Sequence, residues 1–306
     1  MKMIPLGKTG LQVPGIAVGC MRIDGLDMPA AERFVQTAIG EGAIFFDHAD
    51  IYGDGVCEEI FAEAAHLNSD SREKVFLQSK CGIRRGVAFD FSKEHILKSV
   101  DDSLKRLKTD YLDVLLLHRP DALVEPDEVA QAFDMLENSG KVRHFGVSNQ
   151  NPMQIQLLKK SVKQPIAANQ LQLSITNANM ISQGLHVNMT DDNAVNRDGS
   201  VLDFCRLNDI TVQSWSPFQF GFFAGVFLDN EKFPVLNAKI DEIAEKHGVS
   251  NTAIAVAWIS RHPANMQVVT GTVTPARLQE CIKGTDVVLS REDWYEIYLA
   301  AGNVLP

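Results

Sequence analysis

The sequence predicts an α/β protein built from parallel βαβ units, and three observations carry that expectation. Eight short apolar runs alternate with amphipathic stretches, and polar, glycine or proline residues bound each run, as expected of strands buried on both faces. The runs are Ile16–Gly19, 43–47, 75–79, Leu112–Leu117, 142–147, 166–170, Thr211–Trp215 and Gln267–Thr270. They recur within about 270 residues, which matches the usual size of a closed (β/α)₈ barrel, with a doubly wound sheet as the other candidate. Finally, no composition break or Gly/Ser-rich linker divides the chain, so residues 1–306 are expected to form one domain.

The helices follow from periodicity. Lys93–Leu107 sets Ile96, Val100, Leu104 and Leu107 on one face, and 127–137 does the same with Val129, Phe133 and Leu136. Ser92 is placed to cap the first, Pro126 falls in the first turn of the second, and Thr274-Pro275 marks another helix start. A last helix is expected at Arg291–Ala300. Two segments break the rhythm: 173–200, rich in Asn, Met, Ser and Asp, and the aromatic 219–234 (beginning QFGFFAGVF). The first reads as a loop at a functional face or a mobile segment, the second as another long loop with unusual aromatic content.

Composition narrows the function. With 29 basic and 39 acidic residues the net charge is −10, which disfavours a sequence-independent grip on nucleic acid. The longest apolar run, at 253–259, is too short to span a membrane, and MKMIPLGKTG lacks the apolar stretch of a signal peptide. Five scattered cysteines without a CxxC fit a reduced, cytoplasmic protein. No metal site is expected, because the eight histidines show no i, i+4 pairing. The GxGxxG, GxxxxGK[ST] and GxSxG motifs are absent, which removes a Rossmann site, a P-loop and a serine-hydrolase elbow.

In a (β/α)₈ barrel the reacting groups sit at the carboxyl ends of the strands. Asp47 closes the second run in AIFFDHADIYGDG and Tyr52 follows on the same loop. Lys80 closes the third in VFLQSKCG, and His118 the fourth in YLDVLLLHRP. A lysine buried near a barrel mouth is costly unless a carboxylate such as Asp47 offsets it. An ammonium beside Tyr52 favours the ionised phenol, so the Tyr52 pKa is expected to fall below roughly 10. Such a phenol is a general acid for an alkoxide forming from a carbonyl, with His118 as a second donor to the same oxygen.

On these residues the chain resembles the aldo-keto reductases. The likeness runs through PLGKTGLQVPGIAVGC, FFDHADIYG, QSKCG, DYLDVLLLHRPD, GKVRHFGVSN, WSPF and TGTVTPARLQE, nearly end to end. It implies a (β/α)₈ barrel and NAD(P)H-dependent reduction of aldehydes and ketones, with Asp47, Tyr52, Lys80 and His118 as the catalytic tetrad. It further implies a cofactor groove formed by Gly19, Cys20, Met21 and Asp47 on one side. Ser148, Asn149 and Gln170 match residues that hold the nicotinamide carboxamide. Trp215, followed by Ser216, Pro217 and Phe218, matches the aromatic that stacks on the ring. Gly271, Thr272, Arg277 and Glu280 fall where the family binds the adenosine end.

Gly271 stands where many NADPH-preferring members have Lys, and Cys281 where they have Asn. Arg277 and Thr272 keep the expectation on NADPH, with NADH possible. The chain has little of a long C-terminal loop after Arg291–Ala300, so 173–200 and 219–233 are the expected lids. The expected partner is a small carbonyl substrate, with no nucleic acid and no membrane. The sequence leaves the substrate, the reaction direction and the oligomeric state open. Two rival readings are an NADPH-binding regulatory or interaction protein on the same barrel, and a lyase or isomerase using Lys80 as a Schiff-base nucleophile.

Overall fold

The computed structural model describes residues 1–304 except Phe222. Eight strands close a barrel: β1 (Ile16–Gly19), β2 (Phe45–Asp47), β3 (Phe76–Cys81), β4 (Leu112–Leu117), β5 (Val142–Ser148), β6 (Ile166–Gln172), β7 (Thr211–Trp215) and β8 (Gln267–Thr270). Neighbours follow chain order, β8 pairs with β1, and every pair is parallel. Closure excludes the doubly wound sheet. Three strands run one or two residues past their apolar runs, because backbone pairing continues where the side chains turn polar: Ser79-Lys80-Cys81, Val147-Ser148 and Gln170-Leu171-Gln172.

Period-two alternation sorts each strand. In β4, Val114 and Leu116 join the apolar cluster inside the barrel, while Leu115 and Leu117 pack outward against helices. Asp113, also outward and buried, is held by Arg72 at 2.9 Å and Arg143 at 3.3 Å. An N-terminal hairpin, Met3–Pro5 paired with Gln12–Pro14, adds Ile4, Leu6 and Val13 to the interior cluster. Thr211, the first residue of β7, accepts from the Gly7 N–H at 2.8 Å and donates to the Pro5 carbonyl at 3.1 Å. The hairpin therefore closes the amino end of the barrel, and the carboxyl end is left for chemistry.

The helix Lys93–Leu107 has the expected bounds, and Ser92 caps it by accepting from the His95 N–H at 3.3 Å. Pro126 opens the helix Pro126–Asn138. Thr274-Pro275 marks the start of the helix Pro275–Gly284, as expected, with no side-chain cap from Thr274. The segment 173–200 departs from expectation, since it contains the helix Asn179–Leu185 and buries Leu173, Ile175, Met180 and Ile181. Ser182 in that helix accepts from the Tyr298 hydroxyl at 2.8 Å, which ties it to the last helix, Arg291–Ala300. Its few buried apolar residues are diluted by Asn, Ser and Asp, so the periodic signal is weak. Among the described residues no helix is long and apolar enough to cross a membrane.

Close packing of the barrel wall makes a specific demand at Gly146 in β5. A Cβ there would stand 2.6 Å from the Leu116 side chain and 2.7 Å from the Ala168 carbonyl oxygen. Gly146→Ala is expected to destabilise the protein by about 1–3 kcal/mol through overpacking. Urea denaturation should show a lower midpoint at unchanged slope.

Candidate active site

The site begins with two inward positions on adjacent strands. In β2, Phe45 and Asp47 point inward, and in β3, Gln78 and Lys80 do the same. The Lys80 ammonium has no exposed surface and spends its donors on three oxygens. It donates to Asp47 Oδ2 at 2.8 Å, to the His48 carbonyl at 2.8 Å and to the Tyr52 hydroxyl at 3.1 Å. Burial pulls the Lys80 pKa down, but Asp47 and Tyr52 outweigh it and hold the ammonium above its ordinary value.

Tyr52 reaches Lys80 because its loop turns sharply. Gly53, Asp54 and Gly55 all take positive φ (55°, 53° and 97°). Arg85 clasps the turn, donating to the Ile51 carbonyl at 2.8 Å and pairing with Asp54 at 3.1 Å. The Tyr52 pKa is raised, not lowered as the sequence suggested. Burial is the largest influence, and the Lys80 charge only partly offsets it. His118 follows β4, its ring edge-on to Tyr52 at a centroid distance of 6.0 Å. Burial, reinforced by the positive charges of Lys80 and Arg119, pushes its pKa well down and keeps the imidazole neutral. Among the described residues, His118 Nδ1 is buried without a hydrogen-bond partner.

Beneath this group lies an amide network that the sequence reading missed. Asp47 Oδ1 accepts from Gln78 Nε2 at 2.6 Å and from Gln170 Nε2 at 3.1 Å. Gln213 exchanges hydrogen bonds with Gln78 and accepts from Gln170, then donates to Gln267, which donates to the Pro14 carbonyl. The available signal was one glutamine in each of four strand-forming runs. A buried amide needs partners, and four on strands of one barrel can supply each other.

A cavity of about 750 Å³ opens over the tetrad. Of the residues singled out in the sequence, Gly19, Met21, Asp47, Tyr52, His118, Ser148, Asn149, Gln170, Trp215, Ser216, Pro217, Phe218, Gly271, Thr272 and Arg277 border it. Cys20, Lys80 and Glu280 do not. Lys80 acts from beneath, through Tyr52. Cys20 is turned into the core, where burial raises its thiol pKa well above the usual value. Glu280 lies off the wall, and Cys281 in the next position takes its place. Ile83 and Arg119 also line the cavity and escaped the sequence reading.

The two expected lids separate. Gln219, Phe223, Val226, Leu228 and Asp229 border the cavity, so 219–233 forms part of its wall. No residue of 173–200 does so among the described residues; that segment is packed on the C-terminal helix instead.

The wall suits a long ligand with a flat ring at one end and anionic groups at the other. Near the tetrad, Trp215 Nε1 donates to Asn149 Oδ1 at 3.2 Å, and Asn149 Nδ2 donates to Ser148 Oγ at 2.7 Å, so indole and amide are held together. At the far end Thr272, Val273, Thr274 and Arg277 surround the start of Pro275–Gly284, where backbone dipoles and a guanidinium favour negative charge. The Tyr52 oxygen accepts from Lys80, so its own proton is available to an acceptor in the cavity. The arrangement can therefore deliver a proton to an oxygen and stabilise the phenolate left behind.

Comparison with known proteins bears on the family and the fold. The sequence profile of the Aldo/keto reductase family matches residues 15–299. An uncharacterized oxidoreductase, YcsN, of Bacillus subtilis is 33% identical over 303 residues, 95% of each chain. A 6-dehydroglucose reductase of Novosphingobium aromaticivorans is 33% identical over 310 residues, 98% of this chain and 96% of the relative. Among solved structures, the thermostable aldo-keto reductase Tm1743 in complex with epalrestat superposes with a TM-score of 0.78 at 27% identity, covering 98% of this chain and 100% of that one.

The buried ion pair makes a stability prediction. Lys80→Met leaves Asp47 buried without its counter-charge and is expected to cost about 3–5 kcal/mol. Adding Asp47→Asn should recover part of that loss, since the orphaned charge is then gone. Denaturant titration of both variants checks the pattern; equal stability of Lys80→Met and wild type would refute it.

Proposed function

The chain belongs to the aldo/keto reductase family, and from that premise we propose that this oxidoreductase reduces a small aldehyde or ketone to the alcohol with NADPH, Tyr52 supplying the proton. One observation supports the assignment above the others: the Tyr52 hydroxyl lies 3.1 Å from a fully buried ammonium that Asp47 holds in its charged form. A regulatory or binding protein would have no use for a phenol so equipped, and an ammonium engaged with three oxygens is a poor Schiff-base nucleophile.

The nicotinamide, when bound, supplies a hydride to the carbonyl carbon. The side chains supply the rest. Tyr52 donates its proton to the carbonyl oxygen as negative charge grows there, and Lys80 stabilises the phenolate formed. Asp47, braced by Gln78 and Gln170, keeps Lys80 an ammonium. Neutral His118 offers an N–H to the same oxygen and orients it. Because burial raises the Tyr52 pKa above its ordinary value, the phenol stays protonated at neutral pH. That state suits reduction, whereas alcohol oxidation needs the phenolate.

Ser148, Asn149, Trp215 and the 216–218 turn are assigned to the nicotinamide half, together with Gly19 and Met21. Gln170 borders the same place, although its amide N–H groups are directed at Asp47 and Gln213. Thr272 and Arg277 are assigned to the adenosine end, with Arg277 reading the 2′-phosphate. NADH remains the alternative cofactor, because Gly271 offers no cation. The 6-dehydroglucose reductase likeness makes sugar-derived aldehydes the first substrates to test. A screen of NADPH oxidation against aldehydes, ketones and sugars tests the assignment as a whole.

Tyr52→Phe is expected to lower turnover about 10²- to 10⁴-fold, the usual contribution of a general acid, with cofactor binding largely retained by tryptophan fluorescence. Wild-type turnover in that variant would remove the tetrad assignment. Arg277→Ala is expected to weaken NADPH roughly 10- to 150-fold, the worth of a charge-assisted hydrogen bond, and NADH far less. Equal losses for the two cofactors, by fluorescence titration, would show that Arg277 does not read the phosphate.

A further inference from the structure

We infer that Arg22, on the loop after β1, is a second cation for the NADPH 2′-phosphate, an inference that rests on the reductase reading above. β1 and β8 run side by side, with Val18 opposite Thr270. At their carboxyl ends they meet so closely that a Cβ at Gly19 would stand 2.4 Å from the Thr270 carbonyl oxygen. The loops that follow leave the barrel together and border one cavity, the first through Arg22 and the second through Gly271, Thr272 and Arg277. Arg22 Nη1 bridges them by donating to the Gly271 carbonyl at 3.2 Å. The backbone beneath it is anchored: Ile23 is buried in the core, and the Cys57 thiol donates to the Met21 carbonyl at 3.5 Å.

The guanidinium stands in space that Gly271 leaves open. The Gly271 backbone lies outside the left-handed region, so it does not require glycine. A Cβ there would meet Arg22 Nη1 at 3.5 Å, an ordinary contact. A cation that position 271 does not carry is thus delivered from the neighbouring loop. Arg277 sits in the first turn of Pro275–Gly284, where a cation is unfavourable unless an anion joins it. A phosphate monoester carries about −1.5 to −2 charge at pH 7, more than one guanidinium neutralises. Arg22 now donates to a neutral carbonyl, and a phosphate oxygen is the stronger acceptor, so the bond can pass from one to the other. The acid nearest in sequence, Asp24, faces elsewhere: a Cβ at Gly53, on the Tyr52 loop, would lie 3.0 Å from Asp24 Oδ2. Arg22 is exposed, which places its contribution at the low end for a charge-assisted bond and makes it sensitive to salt.

The test reads binding without turnover, in wild type, Arg22→Met, Arg22→Lys and the double variant Arg22→Met/Gly271→Lys. Tryptophan fluorescence titration compares NADPH with NADH, and calorimetry compares 2′,5′-ADP with 5′-AMP, a pair that differs only in the 2′-phosphate. Arg22→Met should weaken NADPH and 2′,5′-ADP about tenfold and leave NADH and 5′-AMP nearly unchanged. Arg22→Lys should keep part of the affinity, because the charge survives while the planar fork does not. Gly271→Lys in the Arg22→Met background should restore the preference for NADPH, since it returns a cation to the same space. High salt should shrink the difference between wild type and Arg22→Met. Equal losses for NADPH and NADH would mean a pyrophosphate contact or a latch between loops, and would overturn the inference. Wild-type affinities in Arg22→Met, in an enzyme that reduces aldehydes, would overturn it and leave the reductase reading standing. Arg22-dependent preference for NADPH with no carbonyl compound reduced would support the inference and remove the reductase reading. A wild type that bound neither cofactor would overturn both.

Discussion

The structure depends most on an ion pair that solvent does not reach. Lys80 and Asp47 have side chains 0% and 3% exposed, and burying two such charges costs several kcal/mol each before their attraction returns anything. The pair is tolerable because its own donors and acceptors are matched. The ammonium donates to three oxygens, and the carboxylate accepts from Lys80, Gln78 and Gln170. Gln213 and Gln267 continue the matching down to the hairpin that closes the barrel. A polar column of this kind needs fixed strand register, since a one-residue slip would turn each glutamine out among the helices.

The proton proposed to react sits on a loop, although the charge that would stabilise its loss sits on a strand. Lys80 is set by the sheet and can be placed accurately. Tyr52 depends on three successive positive-φ residues and on Arg85, whose contacts join the loop after β2 to the segment after β3. This division fits the barrel's usual separation of scaffold from βα loops. It also leaves much of the pocket wall to the loops. The aromatic 219–233 segment forms part of that wall, while 173–200 contributes to stability on the C-terminal helix.

Two opposing influences act on Tyr52, and their order decides its protonation. A nearby ammonium favours the phenolate, but loss of water disfavours it more, so the proton is retained. The same desolvation keeps His118 neutral. A protonated phenol and a neutral imidazole therefore face one cavity, with a buried ammonium ready to stabilise the phenolate once the proton leaves. The balance is set by burial and not by the identity of the neighbours, which is why reasoning from the Tyr52–Lys80 pairing alone gave the wrong direction.

Much of the fold and the tetrad was legible in the linear chain, because periodicity and strand-end chemistry are local properties. Eight apolar runs, the helix Lys93–Leu107 with its Ser92 cap, and Asp47, Tyr52, Lys80 and His118 could be read without coordinates. What escaped depends on which distant residues meet. The glutamine column joins positions 78, 170, 213 and 267, and each glutamine alone looks like an unremarkable polar residue in a strand. Cys20 looked like part of the groove and 173–200 like a lid. Closure of the barrel decided both, because side-chain direction and access to the cavity are set when remote strands come into register. The Tyr52 pKa belongs to the same group: the sequence identified its charged neighbour, and only the tertiary structure determined how much water was removed.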